Sequence, residues 1–350
     1  MDFLRAMGGV LRNLCRGSNV CRKLYRLCVS PYRSFRQRMR GLHSDYRLAL
    51  QFLGYGWRQF RLYLKYRKLE DPFFESCVNY KRAHYLEKAM YCELPRSETL
   101  NQIYRGLHDY VESQTIDTEP NIGYLRKMVR EYSAYPDTFR CFMLDIPLKP
   151  LSEEKARVVE MALRQRRSIR SFKNQPIPNS VIERLIAAAT YAPSSCNAQP
   201  LHYIILREPQ LIYEVFSAAQ GARAWAENIP CGILVVADRR PYKPFMQHIV
   251  MAQDIAAATQ NLLLMAHSLG LGACWVTLLS DSHFIGQGYM YRQLNLPEYM
   301  YVGAAIAVGY PASAICHVPR RPPKSVLHFD VFCSKEESTP SASEDPTCGQ

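Results

Sequence analysis

The 350-residue sequence has no Cys-x-x-Cys pair and no tight grouping of cysteine with histidine, although it holds 12 cysteines. Structural zinc sites rely on that kind of spacing, so a zinc module is not expected and no metal ligand is named. The cysteines are scattered singly from Cys15 to Cys348. In a chain of this size they need not form a disulfide framework and can pack as small hydrophobes, which points to a reducing, cytoplasmic setting. Cys196 has no identifiable His, Asn or Asp partner that would make it a nucleophile. Also missing is an uncharged apolar run of about 18 residues, the length a membrane span needs. The N-terminus carries no compact apolar segment ending in small residues, so the expectation is a soluble, unexported chain.

Acidic residues are scarce in one place only. Residues 1–70 carry 16 Lys+Arg against the three acids Asp2, Asp45 and Glu70, whereas the remainder is balanced at 28 bases and 28 acids. The whole net charge of +13 therefore belongs to the N-terminal segment. There, arginines alternate with aromatics, as in Tyr55, Trp57, Arg58, Phe60, Arg61, Tyr63, Lys65, Tyr66 and Arg67. The mixed apolar and basic spacing suits amphipathic helices better than strands. Two readings fit: arginine stems covering apolar surface with their heads in water, or docking on an anionic membrane or polyanion, peripheral to that surface. A transit-peptide composition also fits the first 40 residues or so, but the basic pattern continues past Trp57 and Tyr63.

Hydrophobic residues make up 48% of the chain, enough for a sizeable core. Residues 1–150 read as a basic, mostly helical accessory domain, 151–330 as the main domain, and 334–350, rich in Ser, Pro and Glu, as a disordered tail. The stretch His84 to Met90 reads as helical, with His84 and Glu87 as a local pair on one face, and Pro95, Pro120 and Pro136 punctuate the chain beyond it. Ser152 opens a helix containing Val158, Val159, Ala162 and Leu163. Ser180-x-x-Glu183 has the form of a capping box for a helix that stops before Pro193. Strands are expected at 203–206, 233–237, 274–278 and 302–308, a short helix at 209–219, and a long core or subunit-contact helix at 245–269 ended by Gly270.

Two short segments carry the chemistry. Arg166-Arg167-Ser168-Ile169-Arg170-Ser171-Phe172 sets three guanidinium groups around one hydroxyl where a helix should end. Arginine offers a planar, permanently charged fork matched to phosphate oxygens, and the serine can donate to another oxygen. Ala192-Pro193-Ser194-Ser195-Cys196-Asn197-Ala198-Gln199-Pro200 then forms a turn rich in short polar side chains. Because residues beyond 70 are charge-neutral overall, this arginine cluster is not explained by general basicity.

Residues 152–328 resemble the FMN-dependent nitroreductase family. The matching features fall in the family's order: the two segments above, Gln260-Asn261-Leu262-Leu263-Leu264 running into Gly270-Leu271-Gly272-Ala273-Cys274-Trp275, then Gly309-Tyr310-Pro311 and Arg320-Arg321. The resemblance implies an α+β fold, a nitroreductase-like central sheet flanked by helices. It also implies FMN held between the protomers of a homodimer that exchange C-terminal segments. Position by position, it assigns Arg166, Arg167, Ser168 and Arg170 to flavin phosphate and ring, and Pro193, Ser194, Ser195 and Asn197 to a turn against the ring. Trp275, Val276 and Thr277 would line the ring near its reactive nitrogen, and Arg321, with neighbouring Arg320, would bind phosphate. Gln220 and Arg223 align only loosely, and the short segment after Asp238 leaves no room for a large substrate lid.

The implied activity is an oxidoreductase in which NAD(P)H reduces the flavin and the flavin reduces a small electron-poor acceptor such as a nitroaromatic or quinone. Flavin supplies the redox chemistry, so no side chain is named as catalytic. Two alternatives stay open: a flavin oxidase or reductase specialised for a biosynthetic intermediate, and a flavin-fold binding protein that docks on anionic surfaces through residues 1–70.

Overall fold

The structure, a computed structural model, describes residues 65–66, 71–92, 94–116, 118–135, 149–219, 221–242, 247–276, 291–313 and 318–332. The expectations for residues 1–64 and for the 334–350 tail fall outside the described residues, as do those for Pro136 and Gln220.

Three helices come first: α1 (Pro72–Tyr91), α2 (Glu98–Ser113) and α3 (Ile122–Ala134). Asp71 starts α1 by accepting from the Phe74 N–H at 2.9 Å, with Pro72 at the first helical position, where its missing N–H costs nothing. Ser97 caps α2 in the same way. Leu86, Met90, Leu107, Leu125, Met128 and Tyr132 make a separate core for these helices. Glu119 is fully buried between α2 and α3 but accepts from Ser76, Tyr80, Tyr110 and the Asn121 N–H, so its charge is satisfied.

The main body comprises α4 (Glu153–Gln165), α5 (Asn179–Thr190), β1 (Leu201–Leu206), α6 (Pro209–Ser217), β2 (Cys231–Asp238), α7 (Gln247–Ser268), β3 (Gly272–Val276) and β4 (Met300–Gly309). Among the described residues the strands form one antiparallel sheet in the order β1-β2-β4-β3. Helices lie on both faces, so β2 is buried along its whole length and reads as a nearly unbroken apolar run. Alternate residues serve opposite faces. Ile233 and Val235 pack under α5 and α7 with Leu185, Met251, Ile255 and Leu262, whereas Leu234 and Val236 pack with Ile212, Val215 and Phe216 of α6. The expected α+β architecture is what the chain adopts.

Helix α7 is long and apolar enough, by composition, to cross a membrane over Ile249–Ser268. It instead lies across β2, β3, β4 and α5, which is the core role expected of it. Gly270 closes it at φ +74°, while the Leu271 N–H reaches back to the Ala266 carbonyl. One local expectation fails: α5 begins after Pro178 with no side-chain cap, and Ser180 sits within its first turn. The fixed φ of Pro178 sets the entry, so the Ser180/Glu183 pair forms no capping box.

Candidate functional site

Two glycines bring the arginine strip onto the sheet. After α4 ends, Ser168 bridges to Ala273 of β3, with the Ile169 N–H bonded to the Ala273 carbonyl at 3.0 Å. Farther on, Phe172 bridges to Pro311, the Lys173 N–H meets the Tyr310 carbonyl at 2.8 Å, and the Ala312 N–H meets the Ser171 carbonyl at 3.0 Å. Ile169 and Phe172 are buried and anchor the strip, while Ser168 before them and Arg170 between them remain exposed. A methyl group at Gly272 would lie 2.6 Å from Ile169, and one at Gly309 would lie 2.8 Å from Phe172. The strip therefore lies flat only because both positions lack a Cβ.

Arg166 and Arg167, with Gln165, Leu263, His267, Gly270, Leu271 and Ser313, line a cavity of about 370 Å³. Among the described residues no carboxylate lines it. Burial, and then the charges of Arg320 and Arg167, pull the Arg166 pKa below its ordinary value. Two neighbouring guanidinium groups are thus close enough to Arg166 to disfavour its charge. Ser168, Arg170 and Arg166 all act on the thiol of Cys274 in β3, lowering a pKa that burial raises overall. Arg320 and Arg321 are exposed on the segment after β4, and among the described residues Arg320 donates to the neighbouring Val318 and Pro319 carbonyls. Trp275 is 39% exposed on β3 and Val276 is buried in the core; Thr277 lies outside the described residues. Arg223, exposed at the start of a 3₁₀ turn (Arg223–Asn228), makes none of these contacts.

The polar turn is organised separately and lines no part of that cavity. Cys196, Asn197 and Gln199 all hold positive φ, at 52°, 52° and 49°. Each such non-glycine residue costs on the order of 1 kcal/mol, so the turn must be held in place by other contacts. Part of that hold is internal: Ser194 accepts from the Gln199 N–H at 2.9 Å. Another part is Asp254 of α7, a buried carboxylate that accepts from the Ser195 N–H at 3.0 and 3.1 Å and from the Tyr242 hydroxyl at 2.8 Å. Burial raises the Asp254 carboxyl above its ordinary value, although both donors oppose that rise. The third support is α1, which packs on residues 195–197. Pro193 stands exposed at the rim, and the Cys196 sulfur lies 3.7 Å from the Tyr85 hydroxyl.

Asp254, Tyr242 and Tyr85 are functional candidates that the motif pattern did not single out. A lone carboxylate in the apolar centre of a long core helix is the one sequence signal that could have marked Asp254. His84 and Glu87 form the expected local pair at 3.5 Å.

The sequence profile described as the Nitroreductase family matches residues 163–222 and 214–310. A protein of Methanothermobacter thermautotrophicus described as an NADH dehydrogenase/NAD(P)H nitroreductase is 32% identical over 152 residues, covering 43% of this chain and 76% of that protein. The chain belongs to the nitroreductase family. The chain is also 24% identical over 189 residues to an FMN reductase [NAD(P)H] of Bacillus subtilis, covering 51% of this chain and 76% of the relative. A nitroreductase from Desulfovibrio desulfuricans, solved in complex with FMN, aligns at 31% identity and a TM-score of 0.42, over 50% of this chain and 97% of the other. The profile covers the main body from the last residues of α4 through β4 and leaves α1–α3 without a counterpart.

Proposed function

We propose that the protein is an FMN-dependent NAD(P)H oxidoreductase. The observation that carries this reading is that Arg166, half-buried, is crowded by Arg167 and Arg320 beside a cavity that no carboxylate among the described residues lines. Cations crowded with no carboxylate among the described lining residues suit a multiply charged anion, and FMN brings a phosphate of about two negative charges. Arg166, Arg167, Arg320 and Arg321 would hold that phosphate. Ser168 and Arg170 would meet the ring's polar edge, with Trp275, Val276 and Thr277 along its reactive side. Bound FMN would supply the hydride chemistry, and the chain's part is to bind and orient it and to set its charge environment.

The turn at Pro193, Ser194, Ser195 and Asn197 would face the other side of the ring. It is absent from the lining of the arginine-bearing cavity, so we assign it to a flavin held by a second copy, which makes the working unit a homodimer. Two further observations support this. Helix α4 buries none of its residues and leaves Val158, Val159, Met161 and Leu163 exposed, and the 318–332 arm exposes Val326, Leu327, Phe329, Val331 and Phe332. Apolar surface on this scale favours burial against a partner.

An electron-poor nitroaromatic or quinone is the acceptor class we assign, in a cytoplasmic setting. The test is the visible absorption spectrum of the purified protein, followed by anaerobic titration with NADH and NADPH. A yellow protein bleached by either nucleotide is expected. A protein that stays colourless and takes up no FMN would end this reading.

A further inference from the structure

One face of α1 is directed at the nitroreductase body, and it repeats every fourth residue. Phe73 packs at a tilt against His202 of β1 with ring centroids 4.0 Å apart. Cys77 is buried within reach of the charges of Asp238, Arg240 and Asp71. Lys81 donates to the Pro241 carbonyl at 2.5 Å. Tyr85 completes the series at Cys196. The series is locked at its start by Arg240, which binds Asp71 and Asp238 at 2.6 Å each and lies over the Phe74 and Tyr299 rings. The residues that build the three-helix core, Tyr80, Ala83, Leu86 and Met90, occupy the remaining faces. Tyr85 is therefore not part of that core.

What Tyr85 touches is the least relaxed backbone in the main body. Among the described residues, three of the five non-glycine positions with positive φ fall between Cys196 and Gln199. Asp254 fixes the turn from α7 at Ser195, and α1 packs on it as a second support. With only the inner support, Cys196 and Asn197 would be free to relax toward ordinary φ, and their side chains would turn with them.

We propose that Tyr85 is a positioning residue for the 195–199 turn, so that the three accessory helices are a working part of the flavin site. The proposal rests on the reading that this turn lies against FMN.

The test uses the full chain and compares wild type with Tyr85→Phe, Tyr85→Ala and, as a control on the same helix, Tyr91→Ala. The dissociation constant for FMN is read by fluorescence quenching, KM and kcat by turnover, and folding by circular dichroism and thermal unfolding. Tyr85→Ala should raise the FMN dissociation constant about tenfold while the thermal unfolding of the FMN-free protein stays close to wild type. Tyr85→Phe removes only the hydroxyl that meets the Cys196 sulfur and should already show part of that loss, and Tyr91→Ala should match wild type. An unchanged FMN dissociation constant in Tyr85→Ala overturns the proposal. So does a loss in Tyr91→Ala of the same size, because it would mean a general weakening of the helix. Should Tyr85→Ala not fold, Tyr85→Leu is measured in its place with the same outcomes. Failure of wild type to take up FMN shows before any variant is made, and it removes the flavin reading together with this proposal.

Discussion

Arg166 is the residue whose environment most needs a ligand, because burial and two neighbouring guanidinium groups all work against its charge. Arg166→Ala should weaken FMN binding about 10- to 100-fold, the value of a charge-assisted contact of roughly 1.5–3 kcal/mol. Arg166→Lys should recover only part of it, since a point charge does not replace a planar fork. Titration of each variant with FMN at fixed ionic strength checks this. Asp254 gives a prediction of another kind. Its carboxyl is raised by burial, so its contribution to stability is fully present below the unfolded value of about 3.9 and is lost as pH rises through the higher folded value. Asp254→Asn keeps an acceptor for the Ser195 N–H and lacks that titration. Relative to wild type, its stability in urea should therefore rise across that window and level off above it. The two residues also differ in legibility. Arg166 belongs to a contiguous motif, whereas Asp254 acquires its role from an approach between positions 59 apart, which no local pattern encodes.

At the scale of elements, helices and strands were readable wherever the pattern was self-contained. Helix α7 announced itself through Leu262, Leu263, Ala266 and the closing Gly270, and β2 through its apolar run. The start of α5 did not, because Pro178 and Ser180 both carry start signals and only the structure shows that the proline prevails. The exposed apolar face of α4 was equally hidden: its sequence has the period of a helix that should be covered, and within one chain nothing among the described residues buries it. The strip at 168–172 depends on elements far away in sequence. Gly272→Ala would place a methyl group against the buried Ile169, 2.6 Å away, so either the strip or β3 must shift. Such overpacking costs about 1–3 kcal/mol, and FMN affinity should fall with it. Thermal unfolding and FMN titration of the same sample would report the two losses together.

Taken whole, the molecule is a nitroreductase body with a second helical core latched to it. Asp71, Arg240 and Asp238 form the latch, in which Arg240 brings the Asp71 carboxyl below its ordinary value against the opposing effect of burial. The motif pattern located the body, but it gave no sign that α1 would lie on the polar turn, because that contact depends on the latch. Dimerisation belongs to this scale as well. Val159→Asp adds a charge to a site that is 49% exposed in the single chain, so the fold should tolerate it, while burial against a second copy should not. Light scattering coupled to size exclusion should show wild type as a dimer and the variant shifted to monomer with its helix content unchanged. The arginine strip has one more consequence at this scale. Strand β3 ends the sheet, and the strip's bonds to Ala273 occupy backbone groups that would otherwise be a template for another chain's strand. The segment assigned to phosphate also shields the sheet from aggregation, so a change that loosens it puts solubility at risk along with catalysis.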